Sequence, residues 1–191
     1  MIKKDPFLEI VGFISYIDQL KQVIRKNALH NGSRQENTAE HSWHAALSAQ
    51  LLAPCANEPV DINKVTRMLL IHDLIEIESG DSFVYDAAEV AQQEKIEAQA
   101  AELVFNQLPN TPGEKMRALW EEFDARKTPE AKFAKAIDRF LPLFSNVQNG
   151  GFSWQPYGVT KGQVRDVVSI IQDGSTILWH LVEDMLDEAV Q

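Results

Sequence analysis

DINKVTRMLLIHDLIEIESG, from Asp61 to Gly80, places apolar side chains at Val65, Met68, Leu69, Ile71 and Leu74. Steps of three and four put them on one face of a helix, with Asp61 as its cap and Gly80 just past its expected end. The same spacing recurs in both directions. Phe7, Ile10, Val11, Ile14, Ile17, Leu20 and Ile24 predict a helix from about Asp5 to Arg25. Asn37 with Glu40 forms a capping-box pattern and opens a helix that Pro54 stops. Ala87 to Leu108, alanine-rich and polar, reads as a surface helix. Thr111-Pro112 and Thr128-Pro129 pair a capping hydroxyl with a proline at the first helical position, and Thr160 with Gln163 opens a last helix to about Leu186. No segment alternates with period two. The expectation is an all-α chain of six or seven helices, one domain over 1–191, with 160–191 a C-terminal helix packed on it.

Composition bounds the function. The chain has 191 residues, 28 Asp and Glu against 18 Lys and Arg, a formal charge of −10 and one cysteine, Cys55. A chain this long buries about 70% of its unfolded surface, so its core needs no disulfide or structural metal. Polymeric nucleic acid is disfavoured, because phosphate counterion release requires a cationic face. A small phosphorylated ligand is not, since a few arginines and a divalent cation reverse the field locally. No apolar run reaches the ~18 residues of a membrane span and no secretory signal pattern opens the chain, so the expected location is cytoplasmic.

Four metal-binding side chains interrupt the apolar runs: His41 in Glu-His-Ser-Trp-His, the pair His72-Asp73, and Asp138 in Lys-Ala-Ile-Asp-Arg-Phe. A carboxylate inside an apolar helix is costly unless paired or metal-bound, which marks Asp73 and Asp138. Two imidazoles and two carboxylates suit Mn, Co, Fe, Zn or Mg as divalent ions, and leave an octahedral ion room for water or substrate. His30, His44 and His180 read as structural histidines. Trp154 and Tyr157, in the glycine-bearing loop 149–158, suit a lid, a subunit contact or simple packing.

The order His, His-Asp, Asp resembles the HD-domain metal-dependent phosphohydrolases. Its 5′-deoxynucleotidase-like branch is similar over Arg34-Gln35-Glu36-Asn37-Thr38-Ala39-Glu40-His41-Ser42, His72 to Asp81, Trp120-Glu121-Glu122-Phe123 and Glu130-Ala131-Lys132-Phe133. The resemblance implies a helical fold with one divalent ion on His41, His72, Asp73 and Asp138, releasing phosphate from nucleoside 5′-monophosphates, and it implies a homodimer. Such an ion activates water and offsets phosphoryl charge. Glu76, three and four residues past the pair, shares their expected helix face and is placed to position the nucleophile or move a proton. Asp81 matches the family's second acidic position, assigned to the water or the scissile bond. Arg25 matches an arginine that meets the phosphate. Arg34 either reaches phosphate as well or pairs with Glu36 or Glu40. Relatives follow the first arginine with tryptophan against the sugar, whereas this chain has Lys26-Asn27-Ala28. Other HD phosphohydrolase activities, on an alarmone or a cyclic nucleotide, and a non-catalytic metal- or nucleotide-binding module are the alternatives.

Overall fold

The computed structural model describes residues 5–85 and 87–189, backbone only for 87–91, 94 and 189. Helix α1 (Pro6–Ile17) is capped by Asp5, which accepts from the Phe7 N–H at 2.9 Å. It stops earlier than expected. A 3-10 turn (Asp18–Gln22) follows, and then strand β1 (Ile24–Ala28) pairs antiparallel with β2 (Gln35–Asn37). Arg25 therefore sits on a strand and not at a helix end. The three-residue step from Ile17 to Leu20 suits a 3-10 turn as well as an α-helix. Val23 and Ile24, both β-branched, then favour the extended chain. Ile24 faces Asn37 and Ala28 faces Gln35, with an irregular register between them. The extra residues of β1 in that interval include Arg25, whose side chain turns inward while Ile24 stays exposed.

Helix α2 (Thr38–Leu52) begins on the expected capping box of Asn37 and Glu40, and α3 (Ile62–Ile71) begins on Asp61. The expected run to Gly80 breaks after Ile71. Leu74 N–H bonds to the Ile71 carbonyl, Glu76 N–H to Asp73 and Ile77 N–H to Leu74, at 3.1, 3.0 and 3.3 Å, a tightened turn before the single-turn helix α4 (Glu76–Ser79). Helices α5 (Ala87–Phe105) and α6 (Asn110–Ala125) form the next hairpin. The second half of α5 is not surface, because Ala100, Ala101, Val104 and Phe105 are buried. Thr111-Pro112 falls inside the first turn of α6, after Pro109 in the cap position.

Helix α7 (Pro129–Gln148), capped by Thr128, is the spine of the main core: its Phe133, Ala134, Ile137 and Leu141 pack with Ala45 and Ala49 of α2 and Met68 and Leu69 of α3. The expected last helix is three: α8 (Lys161–Val168) on its Thr160–Gln163 capping box, α9 (Ile171–Gly174) and α10 (Thr176–Ala189). Their Val164, Val168, Ile171, Leu178 and Val182 join the same core. A second apolar cluster unites Phe13, Leu20, Ile71, Leu74, Val104 and Trp120. Among the described residues the fold is predominantly helical, and no helix is long and apolar enough to cross a membrane. The ends of the 1–191 span, 1–4 and 190–191, lie outside the described residues.

Candidate metal centre and its cleft

His41, one turn into α2, shares the buried face of Ala45 and Ala49, so its imidazole enters the core. His72 is the C-terminal cap of α3, Asp73 stands in the tight turn, and Asp138 lies mid-way along α7. The packing of α2 and α3 on α7 brings the four together. His41 Nε2 and His72 Nε2 are 3.1 and 3.3 Å from Asp138 Oδ1. Asp73 Oδ2 lies 3.1 Å from His72 Nε2 and 3.9 Å from His41 Nε2. One donor atom from each residue falls within 4.8 Å of the others.

This donor set fits a divalent ion. His72 Nδ1–H donates to the Leu69 carbonyl at 2.9 Å, which turns Nε2 toward the cluster. Burial opposes charge on His72, but Asp73 and Asp138 outweigh it and push its pKa up to about 10. Burial likewise opposes charge on the two aspartates. His72 and Arg25 nevertheless hold Asp73 well below the usual carboxylate range, and Lys135 with the two histidines does the same for Asp138. Two ionised carboxylates whose charges repel each other, Asp138 buried and Asp73 partly buried, thus converge on two imidazole nitrogens, an arrangement that a cation completes.

Glu76 is brought beside the cluster, by the tight turn and not by one continuous helix face. Its Oε2 accepts from Thr38 Oγ1 at 2.8 Å. Burial, then Asp73, raises its pKa well above the ordinary value in spite of Arg25. Asp81 accepts the Lys26 N–H at 3.1 Å, and burial raises its pKa as well. Arg25, 8% exposed, is ringed by acids. Its Nη1 donates to Asp73 Oδ2 at 2.9 Å and lies 3.9 Å from Glu76 and 3.8 Å from Asp81. With Asp73, Glu76, Asp81 and Asp138 it lines a cleft of about 130 Å³.

Arg34 is not brought there. Its guanidinium makes two hydrogen bonds to Glu40, at 2.9 and 2.7 Å, on the half-exposed rim of α2. His30 and His44 pair with each other and with Phe144 and Trp43 instead of joining the cluster. In the aromatic loop Trp154 is buried, whereas exposed Tyr157 has its ring 4.6 Å from Phe83 on the cleft wall. Asn146 Nδ2 and Ser153 Oγ both donate to Asn27 Oδ1, at 2.9 and 3.0 Å, tying that loop to β1.

Three residues around the cluster escaped the sequence reading. Glu36 Oε2 stands 3.5 Å from His41 Nδ1 and 3.4 Å from Arg25 Nε, the latter an ion pair without hydrogen-bond alignment. Lys135 Nζ is 2.8 Å from Asp138 Oδ2, and Arg139 Nε is 3.9 Å from the same oxygen. Lys135 carried a signal, since a position three before an aspartate on a helix stays within its reach, and Arg139 follows Lys135 at the next turn of the same face. Glu36 carried none, because β2 is too short to show an alternation.

A sequence model of the HD domain matches residues 17–179, most of the chain and every residue of the cluster. The chain belongs to the HD domain family. A chain of known structure, a predicted metal-dependent phosphohydrolase from Magnetospirillum magnetotacticum MS-1, is 41% identical, with a TM-score of 0.92 over 99% of this chain and 95% of that one. A Pyrococcus horikoshii OT3 protein, 22% identical, shares the fold at a TM-score of 0.63 over 94% of this chain and 97% of that one. Curated relatives include the 5′-deoxynucleotidase HDDC2 of Homo sapiens, 26% identical over 68% of this chain. The 5′-deoxynucleotidase hdd1 of Schizosaccharomyces pombe is 26% identical over 70% of it. The matched region spans 63% and 68% of those two proteins.

Proposed function

We propose that this HD-domain chain is a metal-dependent phosphomonoesterase that hydrolyses (deoxy)nucleoside 5′-monophosphates to nucleoside and phosphate. The observation that carries the reading is the convergence of His41, His72, Asp73 and Asp138 beside Glu76, a carboxyl whose pKa burial and Asp73 raise above the ordinary value, together with curated relatives that are 5′-deoxynucleotidases. Those four residues would hold one divalent ion, Co, Mn, Mg, Fe or Zn. When bound, the ion supplies Lewis acidity toward water and the phosphoryl oxygens.

The chain's own residues do the rest. Thr38 donates to Glu76 Oε2, which leaves Oε1 for the proton. Glu76 accepts a proton from the attacking water and returns it to the leaving 5′-oxygen. Arg25 binds the phosphate through the N–H groups that Asp73 does not engage, and its ring of acids fixes the guanidinium in place. Asp81, anchored by the Lys26 N–H, accepts from the water or the scissile region. The cleft's walls exclude bulk water and strengthen each of these contacts.

The test is a phosphate-release screen of ribo- and deoxyribonucleoside 3′- and 5′-monophosphates with protein loaded in turn with Co²⁺, Mn²⁺, Mg²⁺ and Zn²⁺. Release from 5′-monophosphates is expected, lost in Asp73→Ala and lowered roughly 10²- to 10⁴-fold in Glu76→Gln. Absence of release from every nucleotide, beside a working phosphatase control, would sink the reading. Tight metal binding with an inert Glu76→Gln substitution would instead mark a binding module.

The whole chain acts as one domain in this reading, supported by the shared core of α7 and α8 to α10. It works in the cytoplasm, as a homodimer. Exposed Trp43, Leu47 and Leu51, at four-residue steps along α2, support a subunit contact, and light scattering of the purified protein checks it.

A further inference from the structure

A larger cavity, about 440 Å³, adjoins the metal cleft and shares Ser82, Val84, Glu97, Lys135 and Arg139 with it. Arg126 and Asp166 stand on its outer wall. The volume falls in the range of about 300–1,000 Å³ that small-molecule sites occupy. Its electrostatics differ from those of the chain as a whole. Three cations, Arg126, Lys135 and Arg139, line it against two carboxylates, Glu97 and Asp166, in a protein of net charge −10. A monophosphate leaves only a neutral sugar and base beyond the scissile group, and neither needs such a wall.

Three of the five charges are already engaged, Arg126 through its Nε on the Asp124 carbonyl at 3.1 Å. Lys135 Nζ sits 2.8 Å from Asp138 Oδ2, and Glu97 accepts from Gln93 Nε2 at 2.9 Å. Arg139 is different. Its nearest acid among the described residues is Asp138, at 3.9 Å from Nε, and its side chain is only 30% exposed. Arg139 is part of the wall that both cavities share, and among the described residues no carboxylate lies within ion-pair distance of its Nη groups. Asp138 divides the two spaces: Oδ1 meets the histidines, while Oδ2 meets Lys135 and Arg139, which lie one turn apart on α7.

We propose that the outer cavity is an anion subsite with Arg139 as its recognition residue, so that the preferred substrates carry a second phosphate, as nucleoside 3′,5′-bisphosphates do. This rests on the phosphomonoesterase reading and names its substrate class. The bond broken is the same phosphomonoester bond, with water adding to phosphorus and the 5′-oxygen leaving protonated. The second phosphate stays attached, held by the planar fork of Arg139.

The experiment compares deoxyadenosine 3′,5′-bisphosphate with deoxyadenosine 5′-monophosphate, as kcat/KM and as calorimetric affinity, in metal-loaded wild type, Arg139→Gln and Arg139→Lys. A charge-assisted contact of this kind predicts a bisphosphate preference of roughly tenfold or more in wild type. The ratio should fall toward one in Arg139→Gln and lie between in Arg139→Lys. Thermal melts confirm that both variants are folded. A wild-type ratio at or below one, or a preference that survives Arg139→Gln, overturns the subsite. If neither nucleotide releases phosphate, the activity reading falls by itself. The affinity ratio then decides the subsite on the same two criteria.

Discussion

Glu36 extends the candidate metal site beyond its four proposed ligands. Its carboxylate faces His41 Nδ1 on one side and Arg25 Nε on the other, so one buried acid orients an imidazole and the guanidinium of the neighbouring strand. Glu36→Gln keeps the shape and removes the charge. Metal affinity should drop roughly 10- to 100-fold, as competition with a chelator would show, and an unchanged affinity would assign Glu36 to Arg25 alone. His72 gives a pH signature. Its pKa of about 10 in the metal-free fold exceeds the ~6.5 of an unfolded histidine, so the folded chain holds a proton that the unfolded chain releases. The stability that it contributes is complete below about pH 6.5 and is lost as pH rises toward 10. A metal replaces that proton. Melting temperature should therefore fall from pH 7 to 9 in metal-free protein and fall less when it is loaded. Parallel curves would show that His72 is not a ligand.

Elements were legible where a side chain ends a helix. Asp61, Asn37 with Glu40, Thr128-Pro129 and Thr160 with Gln163 all cap the helices that they were expected to open. Breaks inside an apolar pattern were not. Ile17, Leu20 and Ile24 keep a helical step through a 3-10 turn and into a strand, and β2 gains its order only from pairing with β1. The turn at His72 to Ile75 hides in the same way, because contacts between three-residue neighbours survive the tightening. The break after Gly174 has a tertiary cause. A Cβ there would lie 2.3 Å from the Lys132 carbonyl oxygen, since α9 packs backbone to backbone on α7. Gly174→Ala should cost about 1–3 kcal/mol or more, seen as a melting temperature lower by several degrees. A neutral substitution would mean that α9 can shift away from α7.

For the whole molecule, the charge of −10 divides between a solvated surface and a centre in which Asp73 and Asp138 are balanced by His72, Lys135 and Arg25. The four candidate ligands were readable from the sequence because acids and imidazoles stand out in apolar runs. The cationic cavity was not readable, because Arg126, Lys135 and Arg139 meet only when α6 and α7 pack. The proposed function makes this centre depend on a bound ion. The most direct measurement is phosphate release from a deoxynucleoside 5′-monophosphate as metal is titrated into metal-free protein. The account predicts no release without metal, then a rise to a plateau near one equivalent per chain, abolished in Asp138→Asn. Release that ignores added metal, or a metal-saturated protein that releases no phosphate, would contradict it.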